Sequence, residues 1–455
     1  MKLDTTWEIM ARAAGGRLIL GSPTDRVDSV STDTRSLKND EAFWALKGPR
    51  YDAHSMLNEA LAERSSGWII EQGKPYPKAA KPKHLIEVPD TLKALQAFAA
   101  HHRARFEIPV VGITGSNGKT TTKEMLKCIL SPLGATCASP GNWNNQVGVP
   151  LSVLELTEEH RYAIFELADS HPGDIKEVAR VAQPTLAVLT NLGRDHLEFY
   201  GSMEANFKTK SELIEALPAD GKAVINSDDE WLSALEARLG ARAITFGMNP
   251  RARVSFAEKD ELIVDRHKLK LSLRSLGKLS RYNAAAAAAA ALALGISADK
   301  IREGLESYRP SNMRLQVMTH STGSLIIMDA YNANPDSMRA AIEGFVDEYP
   351  IEEKVLVLGD MKELGIDSRL FHQQLAAWVA TLPLRAVYLA GREMEAAYEV
   401  LKKAKPKFSF AHAETADGLR DKIRGELAPG RAVFLKASRA MRFETILESL
   451  SCSII

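Results

Sequence analysis

Residues 112–122 read GITGSNGKTTT, with glycines at 112, 115 and 118 followed at once by Lys119 and Thr120. Glycines free a main chain to wrap its N–H groups around an anion, and a helix starting there turns its amino end toward the same charge. Lys119 would bring a positive charge to β- and γ-phosphates and Thr120 a hydroxyl for Mg²⁺. The chemistry this predicts is binding of a nucleoside triphosphate by Thr114, Gly115, Ser116, Asn117, Gly118, Lys119, Thr120 and Thr121. The loop is a variant, T-G-x-x-G-K-T, because Ile113 stands where the first glycine of G-x-x-x-x-G-K-S/T belongs. A bare Gly-Lys-Thr is a common surface turn. Its place between the apolar run Ile108-Pro109-Val110-Val111 and a helical pattern over residues 120–133 favours the phosphate reading.

The elements that must hold this loop alternate between strand and helix almost throughout, which predicts an α/β protein with mainly parallel sheets. Strands are expected at 42–46, 67–71 and 85–88, and a domain boundary near residue 88 follows. A helix over 91–105 leads into the loop strand, and strands at 162–167, 184–190 and 222–226 come after it. The eight alanines Ala284 to Ala291 read as a packed helix capped by Asn283. Arg309-Pro310-Ser311-Asn312 reads as a hinge, and strands at 325–328, 354–358, 386–390 and 432–435, each with a helix, make a third, doubly wound domain. The expected domains are 1–88, 89–310 and 311–455.

Ligands of such sheets bind at the carboxyl ends of strands. In the middle domain Glu166 and His196 stand there. With Thr120, phosphate oxygens and water they could complete a Mg²⁺ shell, although imidazole is an unusual ligand for so hard a cation. Singly, each has a plain alternative, a solvated strand end for Glu166 and a loop hydrogen bond for His196.

The 58 basic and 58 acidic side chains cancel, so no overall field favours nucleic acid or an anionic membrane, and small-molecule partners fit better. Three cysteines without a C-x-x-C pair speak for a reducing compartment, the cytoplasm. The longest apolar stretch, 284–294, is too short for a membrane span. Monomeric action is expected.

The motifs together resemble the Mur ligase family of bacterial cell-wall synthesis, over essentially the whole chain. The resemblance rests on STDTR at 31–35 and ALKGPRYDAH at 45–54, TGSNGKTTTKEM at 114–125, GNWNNQVGVPLS at 141–152, HLEFYGS at 196–202 and KTKSE at 208–212. The third domain adds DAYNANPDSMRAAI at 329–342, LGDMKELG at 358–365 with His372, and KASRAMRFE at 436–444. YNANPDSM is the most specific, and it points to the family member that adds D-alanyl-D-alanine. The resemblance implies a uridine-nucleotide-binding first domain, a P-loop ATPase-like middle domain and a Rossmann-like third domain. It also implies ATP-dependent amide ligation: a UDP-muramoyl-tripeptide carboxylate becomes an acyl phosphate, and the dipeptide amine displaces phosphate.

Residue by residue, the resemblance implies that Lys119, Glu166, His196 and Lys210 are catalytic and that two Mg²⁺ are held by Thr120, Glu166, His196 and Lys210. Lys210 would serve as a carbamate, since a protonated amine cannot bind a cation. A solvated helix lysine is the plain alternative, and Lys208 a possible confusion of register. Asn283 and Arg314 would hold adenine, with Asp329 also at the nucleotide. Tyr331, Asn332 and Asn334 would meet the dipeptide, although Asn334-Pro335 could simply start a helix. Ser31, Asp33, Thr34 and Arg35 match the segment that grips UDP, and Asn142, Asn144 and Asn145 the one that approaches the muropeptide. The chain departs from the family pattern at Ala168, Asp195 and Leu279-Ser280. Rival readings are another amide ligase of the family, amino-acid-adding or folylpolyglutamate-type, a non-catalytic nucleotide binder, and a phosphotransferase acting on a hydroxyl.

Overall fold

Short apolar runs separated by amphipathic stretches fold into three α/β sheets and one two-stranded ribbon in the computed structural model. The structure describes residues 3–48, 51–77, 79–194, 197–274, 277–310, 313–349, 353–448 and 452–454. The first sheet has the order Arg17–Leu20, Leu85–Val88, Gly67–Glu71, Ala42–Trp44, Val30–Ser31. Its last four strands run parallel. Phe43, Trp68 and Ile70 form its core with Leu57 and Leu61.

The middle sheet has nine strands in the order His267–Lys270, Glu261–Val264, Val254–Glu258, Ala243–Gly247, Lys222–Asn226, Leu186–Leu189, Val110–Thr114, Tyr162–Glu166, Thr136–Ala138. The third has seven: Ser409–Ala413, Ala386–Ala390, Glu353–Gly359, Arg431–Lys436, Leu325–Asp329, Gln316–His320, Cys452–Ile454. Its first five are parallel, as a doubly wound domain requires. The final two pair antiparallel at one edge, and the sequence reading had neither. The chain divides into two compact units, Met1–Thr114 with Leu130–Val188 and Thr209–Ala223, and Gly115–Ile129 with Leu189–Lys208 and Val224–Ile455.

Three expected elements shift for visible reasons. The helix after the glycine loop runs Lys119–Leu130 rather than to residue 133. Pro132 has no N–H to continue it, and Leu133 and Gly134 instead donate to the Leu130 carbonyl. The strand expected over 42–46 ends at Trp44. The alanine-rich helix begins at Lys278, with Gly277 at its N-cap (φ 100°), and Asn283 lies inside it. Glu348 sets that start. Its carboxylate accepts the Gly277 N–H (2.8 Å) and both guanidinium nitrogens of Arg281 (2.8 and 2.9 Å). All eight alanines are fully buried, against the strands Ala243–Gly247 and Val254–Glu258 and the helices Ala298–Ser307 and Pro335–Glu348. A helix buried all round can sit between such layers only with small side chains.

Helix Thr91–Arg103 is anchored at both ends. The Asp90 carboxylate accepts the Leu92 and Lys93 N–H groups, both at 2.9 Å. At the other end Arg103 donates to the carbonyls of Ala182 (3.1 Å), Phe106 (2.6 Å) and Gln183 (3.2 Å). Beside it the buried His102 ring has Nε2 3.0 Å from the Leu156 carbonyl, so Nε2 carries the proton. Burial lowers His102 from 6.5 to about 4. The unfolded chain therefore binds a proton that the folded chain refuses between those values. Stability contributed by neutral His102 is complete above pH 6.5 and falls as pH drops toward 4, by of the order of 3 kcal/mol. Urea unfolding of the parent and of His102→Gln across pH 4–7 checks this, and the slope should flatten in the variant.

Candidate active site

The glycine loop leaves the strand Val110–Thr114 at the carboxyl end of the sheet, where the parallel neighbour places Glu166 opposite Ile113. From Gly115 onward the loop is fastened to the segment after Leu189. Ser116 N–H donates to the Asn191 carbonyl (3.0 Å), and Asn117 N–H to Asn191 Oδ1 (2.9 Å). The Asn117 carbonyl accepts from Thr190 Oγ1 (2.6 Å) and Asn191 Nδ2 (3.0 Å). Gly115 has φ 139°, and a Cβ there would lie 2.0 Å from Thr190 Oγ1. At Gly118 (φ 85°) a Cβ would lie 2.0 Å from Asn283 Oδ1. Both glycines are thus required by sterics as well as by backbone sign. Lys119 Nζ donates to the Gly115 carbonyl (2.6 Å), which keeps its charge at the mouth of the loop. Thr120 is buried in the first turn of the helix.

Asn283 is therefore not the helix cap that the sequence suggested. It is a buried interior residue whose amide packs on the glycine loop. Arg314, Asp329 and Tyr331 also come together. The Arg314 guanidinium lies 3.9 Å from the Tyr331 ring centroid, a cation–π contact. Asp329 accepts from Leu315 N–H (3.3 Å) and from Lys436 Nζ (2.6 Å), and Lys436 also reaches the Asn332 carbonyl (3.1 Å). Met313 and Leu315 on either side of Arg314 both hold positive φ, 60° and 51°. Two left-handed non-glycine residues store strain where Arg314 is aimed. Nearby Tyr308 is buried, which pushes its phenol well above 10.

Glu166 and Lys210 are each bound by a side chain of their own, Asn144 and Asp169. Glu166 is buried and accepts from Asn144 Nδ2 (2.8 Å), and the Asn144 carbonyl accepts the Ala168 N–H (2.8 Å). Three residues past Glu166, Asp169 binds Lys210 Nζ at 2.8 and 3.1 Å, with both side chains 1% exposed. Lys210 is therefore no solvated helix lysine, and the exposed Lys208 two residues earlier is the one in solvent. Asp169 escaped the sequence reading although it follows a strand end, the place where the carboxyl-end rule directs attention. Thr190 and Asn191 escaped it too, at the next strand end, and so did Lys436. His196 and Asp195 lie outside the described residues. Among the described residues no group of three or more His, Cys, Asp or Glu side chains could hold a metal ion. No helix among them is long and apolar enough to cross a membrane.

The remaining expected contacts are local. Arg35 binds Asp33 through three side-chain hydrogen bonds (2.6–3.2 Å), and this holds the Asp33 carboxyl down at about 2. Ser31 bonds within the same turn, and Thr34 donates to Met56 Sδ. Asn145 Oδ1 accepts from Val147 and Gly148 N–H at the start of a helix, and Asn142 is exposed. Asn334 caps the helix Pro335–Glu348 through a capping box with Ser337, and its Nδ2 donates to Asn117 Oδ1 (3.0 Å).

The Gly118–Asn283 contact is open to a double-mutant cycle. Gly118→Ala should cost at least about 2 kcal/mol of folding stability, from left-handed backbone and steric overlap. Adding Asn283→Ala should recover about 1 kcal/mol of that loss. Denaturant unfolding of the four proteins measures the coupling.

This architecture has relatives. Residues 113–291 match the Mur ligase middle domain, and residues 313–439 the Mur ligase, glutamate ligase domain. The UDP-N-acetylmuramoyl-tripeptide–D-alanyl-D-alanine ligase of Bacillus subtilis (strain 168) is 32% identical over 430 residues, 93% of each chain. The protein of the same name from Escherichia coli (strain K12) is 34% identical over 81% of this chain and 82% of its own. A crystal structure of MurF from Acinetobacter baumannii superposes with a TM-score of 0.89 at 30% identity, covering 98% of both chains. MurF ligase from Thermotoga maritima in complex with ADP gives 0.80 at 29% identity, over 92% of this chain and 96% of that one. With matches along nearly its entire length, the chain belongs to the Mur ligase family.

Proposed function

We propose that this protein is the ATP-dependent ligase, EC 6.3.2.10, that joins D-alanyl-D-alanine to UDP-N-acetylmuramoyl-tripeptide and so makes the UDP-muramoyl-pentapeptide of peptidoglycan synthesis. The observation that carries the reading is the 32% identity to the Bacillus subtilis ligase across 93% of both chains, joined to a glycine loop shaped for phosphate. The tripeptide carboxylate would attack the γ-phosphorus, releasing ADP and leaving an acyl phosphate. The dipeptide amine would then add to the acyl carbon, and inorganic phosphate would leave as the amide forms and the amine loses its proton. The first step turns a carboxylate oxygen, a poor leaving group, into a phosphate, a good one.

The residues divide this work. Lys119, released from the Gly115 carbonyl, would neutralise charge growing on the phosphoryl oxygens, with the loop amides beside it. Asn283 and Arg314 would seat adenine, and Asp329 would complete the nucleotide site. Ser31, Asp33, Thr34 and Arg35 would hold UDP, Arg35 through its planar fork. Asn142, Asn144 and Asn145 would line the muropeptide, and Tyr331, Asn332 and Asn334 the dipeptide. We assign residues 1–88 to the uridine nucleotide, 89–310 to ATP and 311–455 to the dipeptide, with the protein acting as a cytoplasmic monomer on small molecules.

Mg²⁺ supplies charge neutralisation at the phosphates when bound, and we assign two ions to Thr120, Glu166, His196 and Lys210. The buried Lys210–Asp169 pair fits that assignment. Addition of CO₂ to the Lys210 nitrogen, with loss of two protons, would turn the ammonium into a carbamate and set two anions side by side with almost no solvent, an arrangement that a divalent cation would balance.

The test is to mix the chain with ATP, Mg²⁺, UDP-muramoyl-tripeptide and D-alanyl-D-alanine and to find the pentapeptide by mass, with one phosphate released per amide. Without dipeptide, hydroxylamine should trap the acyl phosphate as a hydroxamate. Lys119→Ala should lower the hydroxamate yield by about 100-fold or more. A chain that makes neither pentapeptide nor hydroxamate would refute the assignment.

A further inference from the structure

Three consecutive main-chain N–H groups, those of Leu192, Gly193 and Arg194, are each held by a side chain from a different part of the fold. Leu192 N–H donates to Asp229 Oδ2 (2.6 Å), Asp229 being the N-cap of the short helix Glu230–Ser233. Gly193 N–H donates to Ser116 Oγ (2.8 Å) in the glycine loop. Arg194 N–H donates to Asp336 Oδ2 (2.8 Å), in the first turn of helix Pro335–Glu348. The Gly193 carbonyl accepts from Asn206 Nδ2 (3.0 Å). A Cβ on Gly193 would lie 3.1 Å from the same Asp336 oxygen and 3.3 Å from Ser116 Cβ, so the three strands of chain meet here with nothing between them. Two residues earlier Asn334 reaches Asn117, and the Arg194 guanidinium lies 5.8 Å from the Phe371 ring centroid.

The geometry points to Asp336 as a positioning residue for phosphoryl transfer. Through Arg194 N–H it pins the segment 192–194, whose other N–H groups are pinned by Asp229 and by the glycine-loop residue Ser116. Docking of the helix Pro335–Glu348 and ordering of the phosphate loop are thereby one event. Asp336 needs only an acceptor oxygen for this, not a negative charge. The inference rests on the ligase reading for its kinetic arm and on the hydrogen bond alone for its structural arm.

The test compares the full-length parent with Asp336→Ala, Asp336→Asn and Arg194→Pro. The last removes the donor and leaves the helix start intact. Hydrogen–deuterium exchange should quicken over residues 192–194 in Asp336→Ala and over the neighbouring Gly193 in Arg194→Pro. Asp336→Asn, whose amide oxygen still accepts, should stay near the parent. The kcat of ligation should fall about tenfold in Asp336→Ala and Arg194→Pro, as expected for loss of one hydrogen bond, with KM for D-alanyl-D-alanine within about twofold of the parent. Unchanged exchange and kcat in Asp336→Ala would overturn the inference. So would an Asn variant as impaired as the Ala variant, which would make the charge the active feature. A rise confined to the dipeptide KM would make Asp336 an ammonium ligand instead. If the parent makes no pentapeptide, the ligase reading fails while the exchange data still decide whether Asp336 pins the segment.

Discussion

The contact on which the site depends is the backbone seam between the glycine loop and the chain leaving the strand Leu186–Leu189. A phosphate cradle is a row of N–H dipoles that must already point inward before the anion arrives, because reorienting them on binding would cost much of the interaction. Here the seam uses the Ser116 N–H, both polar ends of the Asn117 peptide and the Thr190 hydroxyl. Gly115 and Gly118 allow the neighbouring side chains to approach closely enough for this. The loop's shape is therefore held by its neighbours.

Much of this was legible in the sequence, and for local reasons. The glycine loop declares itself by composition between an apolar strand and a helix, and the parallel strands by short apolar runs. Lys222–Asn226 and Ala386–Ala390 appear with the limits expected for them. What was not legible depended on distant partners. Asn283 stands before eight alanines and looks like a cap, but the helix start is set five residues earlier by Glu348, which lies far along the chain. Lys210 looks like any lysine on a helix until Asp169 appears beside it. The strand Gln316–His320 has an ordinary polar composition and is defined by pairing with Leu325–Asp329 and Cys452–Ile454.

The two carboxylates at the end of the strand Tyr162–Glu166 show how one strand terminus can serve two tasks. Glu166 accepts a hydrogen bond from a neutral amide, Asn144. Asp169 is matched to a full positive charge on Lys210. Within a few residues the protein thus sets one carboxylate against an amide and the other against an ammonium. Removing either partner of a pair this buried leaves an uncompensated charge, so the arrangement is far less tolerant of single changes than a surface ion pair.

The alanine helix has a thermal consequence. Ala284 to Ala291 have no side-chain rotamers to recover on loosening, so the layer they form gains nothing from side-chain melting as temperature rises. Softening must then begin where long, exposed side chains dominate. The outermost strand of the nine-stranded sheet, His267–Lys270, with three of its four residues exposed, is such a place, and fraying there would leave the glycine loop assembled until the whole unit gives way.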